Sequence, residues 1–315
     1  RLALDVLQGM CASHVQPDTI THSTAVSACE KCRRWEHSAE VVRAMQREEV
    51  LANVVTYNGL ISAFEKGQQS GQVLGLVRQM RHMLLEPNLV TYSATISAFA
   101  RGSSAAWPSS VAMLRHMGEE GIRPAVVACN AAISACTFDW EMAMICFGMV
   151  AEGLVQPDVI TFNSLITALG TGRRQKLALN VFRGMGALGI EPTAVSYNAV
   201  ITASERTQKW PLATQLLEEI GQEGLQIDVV SYSAAIFACS SSLRWPLATC
   251  LVQEASGRRV PPNAAMFSSA VGAPAAGQGP AHVRRLLQDM RAASVRPDPI
   301  AFGAAVSASA NDGHW

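Results

Sequence analysis

The chain has 315 residues, of which 25 are basic and 25 acidic, and 49% of it is hydrophobic. Balanced charge argues against a protein that coats nucleic acid or membrane by bulk electrostatics, while the apolar share is ample for a core. The longest apolar stretch, MAMICFGMVA at 142–151, is about half of the ~20 residues that a membrane-spanning helix needs. Eight cysteines include one C-x-x-C, Cys29 and Cys32. A structural zinc site needs a second such pair or suitably spaced histidines, so no metal and no other cofactor is expected, and the cysteines are read as small buried thiols of a reducing compartment.

In chain order, one unit recurs. Residues 1–18 end a preceding copy; complete copies follow at 19–53, 54–88, 89–125, 126–158, 159–193, 194–228, 229–263 and 264–298, and residues 299–315 begin a ninth. Six copies have 35 residues; the third carries two extra in RGSSAAWPSS and the fourth is two short around CTFDW. Counted from the start of each copy, apolar residues at positions 1–2, 4, 7–8 and 10–11 predict a first helix. Position 10 is always alanine (Ala28, Ala63, Ala98, Ala135, Ala168, Ala203, Ala238, Ala273 and Ala308), which implies close helix–helix approach.

A second helix is predicted over roughly positions 17–28. Position 17 holds every tryptophan: Trp35, Trp107, Trp140, Trp210, Trp245 and Trp315. Ser70, Gln175 and Pro280 take that place in the other units, so the ring is read as packing between helix pairs. Gly121, Gly189 and Gly224 suit a left-handed helix stop. The proline at position 34 (Pro17, Pro87, Pro192, Pro262, Pro297) prevents continuation. One such hairpin cannot bury its apolar face, but stacked neighbours can. The expected fold is all-α: one α-solenoid over residues 1–315, a right-handed superhelix of about nine helix–turn–helix repeats with a concave inner surface.

With its relatives, the motif VVTYNGLISAFEKG…QM…EPN closely resembles the pentatricopeptide repeat (PPR) family over essentially the whole chain. The uniform length is similar to the P class. The tetratricopeptide repeat differs: its period is 34 and its tryptophan opens the first helix. The resemblance implies single-stranded RNA binding, one base per repeat, with positions 5 and last reading the base and position 2 clamping it.

Carried onto this chain, the clamping residues are Ile20, Val55, Val90, Val127, Ile160, Val195, Val230, Ala265 and Ile300; taken alone, these would equally suit a core. The reading pairs are Ser23 with Asn53, Asn58 with Asn88, Ser93 with Ala125, Asn130 with Asp158, Asn163 with Thr193, Asn198 with Asp228, Ser233 with Asn263 and Ser268 with Asp298. Asn, Asp and Thr at the last position also suit helix N-caps, and the pattern does not separate the two roles. Position 13 is basic in Lys31, Lys66, Arg101 and Arg206, where the resemblance places phosphate contacts. Acids cluster late in the second helices, at 47–49, 118–120 and 217–219, so a positive inner face is expected. The resemblance implies an RNA of sequence 5′-A-Y-N-U-Y-U-A-G-3′.

No zinc-deaminase H-x-E with P-C-x-x-C occurs, nor a phosphate-cradling glycine loop or hydrolase elbow, and the seven histidines follow no ligand spacing. The expected protein is non-catalytic. It would act in organellar RNA processing, stabilisation or translation, in chloroplast or mitochondrion by family resemblance; the stretch itself carries no targeting pattern. Two alternatives stand: a protein-binding helical scaffold, or the RNA-binding part of a processing enzyme.

Overall fold

The structure is a computed structural model. It describes residues 6, 9–10, 16–102, 107–152, 155–207, 209–242, 244–258, 260–271, 280–296, 298–299, 302–303 and 306, without the side chains of 151–152, 271 and 280–284. Ile300, Ala273, Ala308, Pro297, Trp315, His14 and His314 lie outside the described residues. Sixteen helices and no strand occur among the described residues. The first helices of the units are α1 Thr19–Lys31, α3 Val54–Lys66, α5 Leu89–Arg101, α7 Val126–Ala135, α9 Val159–Thr171, α11 Ala194–Arg206, α13 Val229–Ser241 and α15 Ala264–Val271. The second helices are α2 Trp35–Arg47, α4 Ser70–His82, α6 Trp107–Glu119, α8 Trp140–Glu152, α10 Gln175–Ala187, α12 Trp210–Gln222, α14 Trp245–Gly257 and α16 Pro280–Ala292.

The local chemistry repeats with the sequence. Two positions of the repeat take the left-handed conformation that reverses the chain. Position 15 does so between the helices, at Arg33, Gln68 and Arg173 (φ 55°, 58° and 56°). Position 31 does so after the second helix. There Gly121, Gly189 and Gly224 have φ of 70–71°, and Glu49, Leu84 and Ser294 adopt 57° without glycine's freedom.

The chain divides into two compact units, residues 1–161 and 162–315. In the first, α1, α3, α5 and α7 pack in succession; each second helix pairs with its own first helix, and α2, α4 and α6 pair with the next one too. Met45, Ala52, Tyr57 and Met80 form one buried cluster, joined by Val50, Val54 and Leu85. It joins position 27 of one repeat to position 4 of the next, and burying a side chain such as Met45 contributes about 1.5–3 kcal/mol. In the second unit α11, α13 and α15 pack the same way, and the Phe182 and Tyr197 rings meet edge to face at 4.9 Å. Each unit therefore stacks hairpin on hairpin, the architecture of an all-α solenoid.

Position 10 is tightly buried in five of the seven described repeats, while Ala28 and Ala135 are half-buried. Ala63, Ala98, Ala168, Ala203 and Ala238 are at most 1% exposed. A Cβ on Gly170 would lie 2.9 Å from the Ala203 Cβ. Position 17 works between repeats. Trp35 packs edge to face on Phe64 at 5.2 Å, and a Cβ on Gly67 would collide with its ring. Gln175 fills the same place by bonding Ser204 and Thr207. Cys29, Cys136 and Cys239, all at position 11, are buried free thiols.

Candidate functional site

Position 2 is a surface position. Ile20, Val55, Val90, Val127, Ile160, Val195 and Val230 are 56–69% exposed, and Ala265 is exposed too. A core role is thereby excluded for them. Stiff β-branched side chains left in water once per repeat are the reverse of what folding alone selects. Position 5 lies one helical turn on, on the same face, and is half-buried at Ser23, Asn58, Ser93, Asn163, Asn198, Ser233 and Ser268; Asn130 is 8% exposed.

The last position caps the next first helix. The Asn53 Oδ1 accepts from the Thr56 N–H at 2.9 Å, the Asn88 Oδ1 from the Val90 and Thr91 N–H groups and the Asp158 Oδ1 from the Thr161 N–H at 2.8 Å. The Asp228 and Asn263 Oδ1 atoms do the same for Ser231 and Met266. Ala125 provides no side-chain cap.

The side chains at the last position also meet position 5 of their own repeat, about 30 residues back in the chain. Asn58 Nδ2 donates to Asn88 Oδ1 at 3.2 Å. Asn130 Nδ2 donates to Asp158 Oδ1 at 3.0 Å. Asn198 Nδ2 lies 3.2 and 3.1 Å from the two Asp228 oxygens. Ser268 Oγ lies 2.8 Å from Asp298 Oδ2. Capping and pairing therefore coexist on one side chain. Ser23 Oγ instead donates to its own helix at the Ile20 carbonyl. Among the described residues the Ser233 Oγ and the Asn163 Oδ1 are buried without a hydrogen-bond partner.

A third member completes these pairs, and sequence reasoning missed it. The hydroxyl at position 3 of the following repeat donates to the asparagine carbonyl: Thr91 to Asn58, Thr161 to Asn130 and Ser231 to Asn198, each at 2.5 Å. Burial pushes the Asp158 carboxyl upward, but the Thr161 amide and hydroxyl and the Asn130 amide outweigh it, so its pKa falls below the usual carboxylate value. The carboxylate stays ionised and acceptor-only.

Position 13 is less free than its charges imply. Lys66 Nζ is 2.8 Å from Glu30 Oε1, and Arg101 Nε is 3.5 Å from Glu65 Oε1. Glu30, Glu65 and Glu205 all occupy position 12, so acids are not confined to the second helices. Lys31 and Arg206 are exposed. In the second unit Val195, Asn198 and Arg206, at positions 2, 5 and 13, line one depression of about 220 Å³ with Thr167, Gly170 and Thr171. The clamping, reading and basic positions thus open on one surface there.

The family model for the PPR repeat family matches residues 52–101, and that for the pentatricopeptide repeat domain matches residues 144–206. In these two segments the chain carries pentatricopeptide repeats. No curated protein matches it. Among solved structures, the chain is similar to PPR10 in complex with an 18-nt psaJ RNA element, with a TM-score of 0.80 and 19% identity. A cysteine-to-serine variant of PPR10 bound to the same RNA element gives the same values. PPR10 from maize matches with a TM-score of 0.66, 23% identity and 93% of this chain covered. The RNA-bound comparisons cover 99% of this chain and 45% of PPR10, so the chain spans less than half of the PPR10 chains that it matches.

Proposed function

We propose that this chain binds single-stranded RNA sequence-specifically, one base per repeat, with residues 1–315 acting as one array. The observation that carries the reading is the recurrent pair of position 5 and last position, hydrogen-bonded to each other beside an exposed β-branched residue. A structural cap needs no such neighbour, and a protein-binding scaffold needs no such periodicity. The likeness to PPR10 held in complex with an RNA element supports the same ligand class.

The chemistry of each pair indicates a base. Asn130 uses one amide N–H on Asp158, which leaves the second N–H and a carboxylate oxygen for a base edge. A donor beside an acceptor complements uracil, which offers a carbonyl next to its ring N–H; Asn198 with Asp228 offers the same. Asn58 with Asn88 lacks the carboxylate and offers amide donors, which suits a pyrimidine. Ser23 with Asn53 and Ser233 with Asn263 are assigned to adenine, and Ser268 with Asp298 to guanine. The proposed target is 5′-A-Y-N-U-Y-U-A-G-3′. Lys31, Lys66, Arg101 and Arg206 would contact phosphates. The role is non-catalytic and serves RNA processing, stabilisation or translation, in an organelle by family resemblance.

A labelled RNA of this sequence should bind more tightly than its shuffled versions at fixed salt, with affinity falling by about 0.7 log units per decade of salt for each phosphate engaged. Asn198→Ser should move the preference at the sixth nucleotide alone from uracil toward guanine. Equal binding of target and shuffled RNA would refute the register, and weak salt-insensitive binding would favour a protein-binding scaffold.

A further inference from the structure

We infer that the hydroxyl at position 3 of the following repeat is a positioning residue, which makes the reading asparagine a donor-only group toward its base. The inference rests on the reading above for its ligand, but its geometry is independent of RNA. In three repeats the asparagine amide has both ends engaged. Its Nδ2 faces the capping residue, at 3.0–3.2 Å for the closest contact with Asn88 Oδ1, Asp158 Oδ1 or Asp228 Oδ2, and its Oδ1 takes the proton of Thr91, Thr161 or Ser231 at 2.5 Å.

The network fixes which end is which. A carboxylate can only accept, so Asp158 and Asp228 require Nδ2 on their side. The Asn88 Oδ1 already accepts two backbone N–H groups, so its acceptor face also meets Asn58. The carbonyl of the reading asparagine then points at the hydroxyl, which also lies 2.8–3.1 Å from the capping oxygen; it has one proton, and the shorter 2.5 Å contact assigns that proton to the asparagine carbonyl. What remains for a base is an amide N–H.

The sequence supports this pairing across repeat boundaries. Each repeat with Asn at position 5 (Asn58, Asn130, Asn163, Asn198) is followed by Thr or Ser at position 3: Thr91, Thr161, Ser196 and Ser231. Repeats with Ser at position 5 are followed by Thr56, Ala128, Met266 and Ala301, and a serine has no carbonyl to hold. Asn163 gives the contrast. Its capping residue is Thr193, and the Ser196 hydroxyl is drawn to Thr193, 3.1 Å from its N–H and 3.2 Å from its Oγ1. The Asn163 Oδ1 is left buried without a hydrogen-bond partner among the described residues. That repeat holds an asparagine whose amide is not locked, and its base preference should be the loosest of the four.

Without the hydroxyl, Oδ1 becomes an acceptor open to the groove, and bases presenting donors gain. Ser231→Ala should therefore lower the uracil preference at the sixth nucleotide by about 3- to 10-fold, the range of one neutral hydrogen bond. Thr161→Val should do the same at the fourth nucleotide, each leaving the other nucleotide unaffected. Ser231→Thr, which keeps the donor, should retain the preference. Thr193→Asp should release Ser196 to Asn163 and sharpen the fifth nucleotide toward uracil.

The experiment measures binding of the eight-nucleotide target and its single-base variants by fluorescence anisotropy, with side-chain amide NMR of ¹⁵N-labelled, RNA-free protein. Ser231→Ala should shift the Asn198 NH₂ resonances and speed their exchange. A variant that weakens all bases equally, or one that keeps the wild-type preference, overturns the inference, since a merely structural hydroxyl would give one of these. If the wild-type protein shows no base preference at all, the RNA reading fails. The amide resonances then decide the positioning role alone: unmoved Asn198 signals in Ser231→Ala overturn it and shifted ones support it.

Discussion

Replacing Glu30 by glutamine removes the acid that holds Lys66, and the affinity of the chain for its RNA is expected to rise. Glu30 Oε1 accepts from Lys66 Nζ and from the Ser62 hydroxyl, both at 2.8 Å. The Glu30 side chain is 22% exposed and that of Lys66 35%, so solvent screens the pair, and its net worth is about 0.2–1 kcal/mol. A glutamine keeps the bond to Ser62 and loses the charge. Lys66 is then free to meet a phosphate, and affinity should rise about 1.4- to 5-fold, with a salt dependence steeper by about 0.7 log units per decade. Fluorescence anisotropy over a salt series reads both quantities. Adding Lys66→Gln should return the wild-type slope. If the double variant kept the steeper slope, Lys66 would not carry the new contact and the reasoning would be refuted.

Four further outcomes are expected. Leu84 is 92% exposed and left-handed, so Leu84→Gly removes backbone strain without losing packing; set against glycine's greater unfolded freedom, it should stabilise by about 0.5–1 kcal/mol, read as a higher urea midpoint. Gly170→Ala forces its Cβ against Ala203 and should cost about 1–3 kcal/mol, whereas Gly184→Ala, with nothing within 4 Å, should stabilise α10 by about 1 kcal/mol. Val195→Ala should weaken RNA binding by up to ~1 kcal/mol and leave the melting temperature unchanged, because Val195 is 62% exposed. Burial pushes the Glu65 and Glu205 carboxyls above their ordinary value of 4.5. The folded state therefore takes up protons more readily than the unfolded one. The stability this provides is complete below that ordinary value and is lost as pH rises through the raised folded values. RNA affinity should increase on acidification through the same window, and the Glu65→Gln, Glu205→Gln double variant should flatten both profiles.

The helix pairs were legible in the sequence because their punctuation is local. Proline at position 34, glycine at position 31 and the apolar spacing of the first helix each act within a few residues, and the observed helices start at positions 1 and 17 as read. The exposure of position 2 was not legible. A valine beside an apolar residue at position 1 looks like core until the neighbouring repeat is in place, and Val55 and Val195 then turn out to lie on the open face. Pairing across about 30 residues was reached only through the family resemblance, because Asn130 and Asp158 each have a sufficient local explanation, one as a helical polar residue and the other as a cap. The position-3 hydroxyls did leave a signal, the succession of Asn by Thr or Ser in the next copy, but it appears only when adjacent copies are compared. Glu30 and Glu65 were overlooked for a related reason, since a charge total cannot show that Lys66 and Arg101 each face an acid from the repeat before.

The junction between Asn130, Asp158 and Thr161 has a consequence for anyone who would shuffle such arrays. A hairpin cut at its helix boundaries separates the asparagine from the hydroxyl that aims it, and the graft inherits whatever residue its new neighbour supplies. The transferable segment is offset from the hairpin: it runs from position 4 of one copy through position 3 of the next. On the proposed reading, a swap made in that frame would carry its letter intact, while one made in the structural frame would rewrite the letter upstream of the seam.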